Sequence, residues 1–246
     1  MADNGLVAII SDIHSNLEAL ETVIAEIDRR GIDVVVCLGD LVGYNANPNE
    51  CVQIIRDREV PTVMGNHDIV ACGLEEPLGF NPVAYAAALW TREGLTAGNT
   101  QYIQNLPDNR AFNDGLLAVH GAPSDRDTYL FTPDDTVEQF AILDNQGVEL
   151  CFFGHTHFPC VFKENDGSLE HGFQTFTLEE GERYLINPGS VGQPRDSDAK
   201  ASFVVFDAGN LALELVRLEY DIESAAAKIH ESDLPDYLAD RLALGR

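Results

Sequence analysis

The sequence predicts an α/β protein in which two mixed β-sheets pack face to face between outer helices, a four-layer αββα sandwich with a small helical insert. Three observations predict it. Short apolar runs rich in β-branched residues recur along the chain, each ending in a cluster of Gly, Asp, Asn or His, the pattern of buried strands that feed functional loops. Helical spacing fills the gaps between the early runs, which makes parallel crossovers there. After about Ala111 strands succeed one another with few helices, as two packed sheets require.

The strand candidates are Leu6–Ile10, Val34–Leu38, Thr62–Met64, Leu116–Val119, Leu150–Phe153, Tyr184–Ile186, Ser202–Phe206 and Leu211–Leu218. Between the first two, Leu17, Leu20, Ile24 and Ile27 fall at helical spacing and Gly31 follows as a C-terminal stop, so the chain opens with a βαβ unit. Asn49 to Arg58 reads as a second helix behind Pro48, with Cys51, Ile54 and Ile55 on its apolar side. The helical insert, about 72–106, is Ala-rich and contains the single Trp, Trp90. A charged, amphipathic tail of about 221–246 suits packing on the sandwich or on a second subunit in a homodimer.

At 246 residues one domain can bury a substantial core, and neither an internal repeat nor a low-complexity linker divides it. No stretch approaches the ~20 uncharged apolar residues that a membrane helix needs, so no membrane partner is expected. Leu6–Ile10 leads straight into Ser11-Asp12-Ile13-His14 without a charged n-region, so a cleaved secretory signal is not expected either. The five cysteines are odd in number and form no C-x-x-C pair, which fits a reducing cytoplasm better than a disulfide framework. A formal charge of −26 disfavours binding along a nucleic-acid backbone, which relies on clustered Lys and Arg. It would also repel an anionic substrate unless something strongly positive sits at the reaction centre, and bound divalent cations are a natural source.

Five clusters follow predicted strands: Asp12-Ile13-His14, Gly39-Asp40, Gly65-Asn66-His67-Asp68, His120-Gly121 and Gly154-His155-Thr156-His157. Ligands gather at strand ends in open α/β sheets, so these loops can converge although they are distant in sequence. Five of the seven histidines lie in them. Imidazoles and carboxylates together offer a mixed N/O ligand set suited to Mn, Fe, Zn or Ni rather than to the all-oxygen shells of Ca and Mg. Gly39, Gly65, Gly121 and Gly154 are expected to permit tight turns that aim the next side chain inward. His171 and His230 stand outside the clusters and receive no role.

These clusters, in this order, resemble the calcineurin-like metallophosphoesterase family, whose pattern runs D-x-H, G-D, G-N-H-D/E, H and G-H-x-H. The likeness covers residues 6 to about 207. The segment Asn187-Pro188-Gly189-Ser190-Val191-Gly192-Gln193-Pro194-Arg195 is similar to small bacterial and archaeal phosphoesterases of the YfcE-like group. The resemblance implies hydrolysis of phosphodiester or phosphomonoester bonds in small substrates, nucleotides among the candidates, at two divalent cations, with manganese the first expectation and nickel, iron(II) or zinc the alternatives. It implies that Asp12, His14 and His157 hold one cation, that Asn66, His120 and His155 hold the other, and that Asp40 bridges them. A hydroxide shared by the two metals would be the nucleophile and His67 the general acid.

One departure bears on substrate class. Ser/Thr protein phosphatases of the superfamily carry G-D-x-V-D-R-G, whereas this chain reads Gly39-Asp40-Leu41-Val42-Gly43-Tyr44. The Asp that orients the catalytic His and the Arg that grips phosphate are both absent. Arg195 is the candidate for the missing phosphate contact, against an alternative in which it pairs with Asp196 or Asp198. A non-catalytic scaffold on the same fold is the competing reading, and the complete ligand set argues against it.

Overall fold

The computed structural model describes residues 5–112 and 115–246. In chain order the elements are β1 (Leu6–Ile10), α1 (Leu17–Arg29), β2 (Val34–Cys37), α2 (Pro48–Asp57), α3 (Asn66–Ala71), α4 (Pro82–Gly94), α5 (Ala97–Gln104), β3 (Asn109–Phe112), β4 (Leu116–Val119), α6 (Pro133–Gln146), β5 (Leu150–Phe152), β6 (Cys160–Lys163), β7 (Leu169–His171), β8 (Thr175–Thr177), β9 (Tyr184–Asn187), β10 (Ala201–Asp207), β11 (Ala212–Leu218), α7 (Ile222–His230) and α8 (Tyr237–Leu242). Local chemistry sets the helix ends. Asn16 caps α1 by accepting from Ala19 N, and Gly31 beyond it is left-handed at φ 65°.

Two mixed sheets form, one in the order β2-β1-β10-β11-β8 and the other β3-β4-β5-β9-β6-β7. β1 lies between parallel β2 and antiparallel β10, and its two faces are covered by the second sheet and by α1, so it reads as an unbroken apolar run. Alternate residues of each strand serve different cores. Ile9, Val36, Val204 and Phe206 meet Ala118, Phe152, Val161 and Ile186 between the sheets. Ala8, Ile10, Phe203 and Val205 instead face Leu20, Val23 and Ile27 of α1. On the far side Leu117, Val119, Cys151 and Leu185 pack on Phe140 and Leu143 of α6. The predicted four layers are therefore present.

Three sequence expectations need correction. Thr62–Met64 is not a ladder strand: Cys37 and Thr62 form an isolated parallel bridge, after which Met64 N turns away to donate to Pro107 O at 2.8 Å. The mostly-β stretch contains α6, whose inward face mixes Thr136 and Gln139 with Phe140 and Leu143 while Val137 is exposed, which blurs its period. Its ends are nonetheless written in the chain, as an Asp135 carboxylate that accepts from Thr132 N and Oγ1 and as a left-handed Gly147. β7 and β8 are three-residue strands without an apolar run.

The tail packs on the same chain. Ile229 and Leu238 of α7 and α8 join Ala84 and Ala87 of α4 and the Tyr44 ring in one cluster, and α7 also lies against α1. No described helix is long and apolar enough to cross a membrane. Phe152 is fully buried between the sheets. Phe152→Ala should lower the unfolding free energy by about 3–5 kcal/mol in urea titrations without changing the slope; a loss within the error of the measurement would mean the inter-sheet core lies elsewhere.

Candidate dinuclear metal centre

The loops after β1, β2, β4 and β5 leave the carboxyl ends of their strands and lock onto one another through the backbone. Asp12 N donates to Gly39 O at 3.1 Å, His14 N to Asp40 O at 2.9 Å, and Gly154 N to His120 O at 2.7 Å. Five site residues sit in left-handed backbone: Asp12 (φ 54°), His14 (47°), Asp40 (51°), His155 (65°) and His157 (60°). Such conformations cost roughly 1–3 kcal/mol each for a side-chain-bearing residue and persist only where the surroundings over-determine them.

The glycines act differently from the sequence expectation. Gly39 alone of the four is left-handed, at φ 91°. Gly65, Gly121 and Gly154 are required by close approach instead: a Cβ would fall on the Asp40 side chain, on the Arg126 carbonyl and on Ser11 Oγ, respectively. The sharp turns are made by the functional residues themselves, and the glycines give them room.

Seven predicted ligands come together in two groups around one carboxylate. Asp12, His14 and His157 form the first; Asp40, His120 and His155 form the second, and all six are buried. Asn66 Oδ1 joins the second group, 3.1 Å from His120 Nε2. Asp40 lies between the groups: its Oδ2 is 3.4 Å from His14 Nε2 and 3.3 Å from His120 Nε2, with no donor aligned on it. Its Oδ1 accepts from His67 N at 2.9 Å.

The outer nitrogens of the imidazoles explain their readiness to ligate. Nδ1 of His14, His120 and His157 lies 3.0, 2.8 and 2.5 Å from the carbonyls of Val42, Leu38 and Gln193. Carbonyls only accept, so each Nδ1 carries a proton and each Nε2 is the atom that would meet a cation. His155 is reversed, with Nε2 on Asp127 O at 3.2 Å, which frees its Nδ1. The Nε2 atoms of His14 and His157 are only 3.1 Å apart, and two facing lone pairs repel unless a proton or a cation lies between them. An orphaned carboxylate oxygen, converging lone pairs and a mixed N/O donor set all fit a pair of transition-metal cations.

Electrostatics point the same way. Burial by itself would push the Asp40 carboxyl up, but the imidazoles of His120, His67 and His14 hold it well below the ordinary range. Burial likewise opposes the charged form of His120, yet Asp40 overrides it and raises His120 to about 9. Without a cation, a proton on His120 is what balances the shared carboxylate. Burial lowers His155 to about 3 and His67 to about 4, so both are neutral at pH 7.

Residues outside the predicted set hold this geometry. Asp68 accepts from Gly65 N at 3.0 Å and from Val42 N at 3.2 Å, tying the loop after β2 to the start of α3. Burial, with the Asp40 charge adding to it, raises its carboxyl to about 7. The 187–193 segment supplies no ligand. Asn187 Nδ2 donates to Gly154 O at 2.7 Å, Ser190 Oγ to Asp12 O at 2.8 Å, and Gly192 N also to Asp12 O at 2.9 Å, so it braces two ligand loops from behind. Tyr129 stacks on His155 with centroids 3.9 Å apart; it lies in a loop that carried no sequence signal.

Among the described residues no carboxylate bonds to the His67 ring, and its Nδ1 is buried without a hydrogen bond. Rings hold it instead, with Tyr44, Phe80 and His14 at 4.4, 4.8 and 4.9 Å. Arg195 does not pair with its neighbours: Asp196 is bound to Arg217, and Asp198 accepts from Lys200 N. Its Nη2 reaches Gln193 Oε1 at 3.1 Å and Tyr44 Oη at 3.4 Å. His171, in β7, and His230 are exposed, away from the centre.

Comparison with known proteins agrees with this architecture. A family model described as the calcineurin-like phosphoesterase superfamily domain matches residues 6–210. The uncharacterized protein MJ0912 of Methanocaldococcus jannaschii is 44% identical over 246 residues, covering 98% of each chain. The crystal structure of a metallophosphoesterase from Sphaerobacter thermophilus superposes with a TM-score of 0.87 at 37% identity, covering 98% of this chain and 99% of that one. The hypothetical protein PH1004 from Pyrococcus horikoshii OT3 superposes with a TM-score of 0.81 at 21% identity over 98% of both, a likeness of fold alone.

Two outcomes are expected. Asp40→Asn should drop bound metal, measured by plasma mass spectrometry after reloading, from two ions per chain to one or none; two retained ions would remove Asp40 as the bridge. Because His120 holds a proton up to about pH 9 in the metal-free protein, metal loading at pH 7 should release protons and tighten as pH rises towards 9. Calorimetry in buffers of different ionisation enthalpy reads that release, and a loading step with no proton linkage would contradict it.

Proposed function

The chain belongs to the calcineurin-like phosphoesterase superfamily, and from that premise we propose that it is a metal-dependent hydrolase of phosphodiester or phosphomonoester bonds in small substrates. Asp12, His14 and His157 would hold one cation, Asn66, His120 and His155 the other, and Asp40 both. The observation that carries this reading is Asp40 Oδ2, buried, without an aligned donor, and 3.3–3.4 Å from an imidazole of each group. A buried carboxylate oxygen in that position calls for positive charge on two sides. Manganese is the first candidate, with nickel, iron(II) and zinc as alternatives.

When bound, two divalent cations supply Lewis acidity, neutralising phosphoryl oxygens and lowering the pKa of a water towards about 7. The chain's residues do the rest. As the oxygen of water becomes bonded to phosphorus and the bond to the leaving oxygen breaks, that oxygen needs a proton, and on this reading His67 gives it. Its Nδ1 is shut in against Gly43, where a Cβ would lie only 2.7 Å away, which leaves Nε2 to meet the substrate. A neutral resting imidazole requires the incoming phosphate's negative charge to favour the protonated form. Arg195, free of its acidic neighbours, is suited to a phosphoryl oxygen. The five cysteines are free and buried, which supports a reducing, cytoplasmic setting.

The test is hydrolysis of bis-p-nitrophenyl phosphate and p-nitrophenyl phosphate by metal-stripped protein reloaded with Mn2+, Ni2+, Mg2+ or Zn2+. Turnover of either with at least one metal is expected, and silence with all of them would end the hydrolase reading. His67→Asn should lower kcat for an alkyl phosphate ester by roughly 10²–10⁴-fold. The loss should be much smaller for p-nitrophenyl esters, whose leaving group departs without a proton; equal losses on both would remove His67 as the acid.

A further inference from the structure

In a chain with 41 acidic residues against 15 basic ones, a cation without a carboxylate is unusual. Among the described residues every half-buried Lys or Arg has an Asp or Glu carboxylate within 4 Å except two, Arg195 and Arg241. Both line one cleft of about 390 Å³, together with Tyr44, Tyr129, Asn81 and Tyr237. The cleft adjoins the metal centre, because two of its walls are rings that lie against predicted ligands, Tyr44 on His14 at 4.6 Å and Tyr129 on His155 at 3.9 Å.

The two guanidiniums are presented alike. Arg195 lies over the Tyr44 ring at 5.8 Å and Arg241 over the Tyr237 ring at 5.5 Å. Stacking fixes the plane of a guanidinium while leaving its N–H edges to bind. Arg195 Nε is buried without an acceptor. Arg241 gives its Nε to the main-chain oxygen of Arg246 and has no side-chain acceptor. Burial, and then the charge of Arg195, press the Arg241 pKa down, so the pair is held together against mutual repulsion. Like charges gathered beside a reaction centre need an anion to stabilise them.

We propose that Arg241, acting with Arg195, seats a second phosphate of the substrate, so that the molecule hydrolysed is a polyphosphorylated compound of the nucleoside polyphosphate class rather than a simple monoester. This rests on the phosphoesterase reading for the bond that is cleaved and on the arginine cleft for what is recognised. One phosphoryl group meets the centre and Arg195, where the oxygen of water bonds to phosphorus as the bond to the bridging anhydride oxygen breaks, and that oxygen leaves on the next phosphate, which Arg241 holds; the exposed Tyr129 and Tyr237 rings offer flat faces to a base.

Two measurements on the full chain separate these layers. In the first, metal-stripped protein at low ionic strength is titrated with ATP and with AMP in the presence of chelator. ATP should bind roughly tenfold or more tightly than AMP, Arg241→Gln should abolish that preference, and Arg241→Lys should restore part of it. In the second, metal-loaded protein is assayed with ATP and p-nitrophenyl phosphate, and Arg241→Gln should lower the ratio of their kcat/KM values by roughly tenfold or more. An ATP preference that is absent, or identical in wild type and in a normally melting Arg241→Gln protein, overturns the second-phosphate seat even if p-nitrophenyl phosphate is hydrolysed. An Arg241-dependent preference without turnover of any ester keeps the seat and removes the hydrolase reading instead.

Discussion

Asp40 is the residue on which the rest of the site is arranged. One of its oxygens is tied to the backbone of α3 through His67 N, and the other is left in a buried position between imidazoles of two ligand groups. A carboxylate so placed is tolerable only with positive charge around it. The lone pairs of His14 and His120 are aimed at the same point by carbonyls that hold their Nδ1 protons. The loops after β1, β2 and β4 therefore share one electrostatic problem, which a pair of cations would solve.

Holding that arrangement costs backbone strain, and the strain falls on the functional residues themselves. Asp12, His14, Asp40, His155 and His157 occupy left-handed conformations because only there do side chains from separate strand ends turn back to a common centre. What over-determines them is a lattice of backbone hydrogen bonds between loops, with Asn187, Ser190 and Gly192 bracing from below. Gly65 and Gly154 belong to the same scheme: they lack a Cβ so that Asp40, Ser11 and Asp12 can occupy that space. Two packed sheets supply the stiffness such a scheme needs, since an inter-sheet core of interdigitated side chains does not deform by small steps.

Electrostatics then organise the surroundings. The chain is strongly acidic, so an anionic substrate can be held only where positive charge is concentrated. The two candidate metal groups would provide one such place when loaded, and the cleft lined by Arg195 and Arg241 lies beside them. Aromatic rings join the two, since Tyr44 touches His14, His67 and the Arg195 guanidinium. Ring packing rather than a carboxylate holds His67 in place.

The sequence alone determined the fold class, the βαβ opening and the identity of the residues at the centre, because each is a local property. Burial on both faces makes Leu6–Ile10 and Leu116–Val119 continuous apolar runs, and ligand chemistry restricts strand-end loops to Asp, His and Asn in a recognisable order. α6 escaped because its inward face mixes polar and apolar side chains, and Thr62–Met64 misled because an apolar triplet cannot reveal that Met64 N would turn to Pro107. Tertiary structure decided everything that depends on distance between segments far apart in sequence. The shared position of Asp40, the brace from 187–193, the task of Asp68 and the meeting of Arg195 with Arg241 are of this kind. No local pattern records such meetings, because they arise from strand order and loop packing.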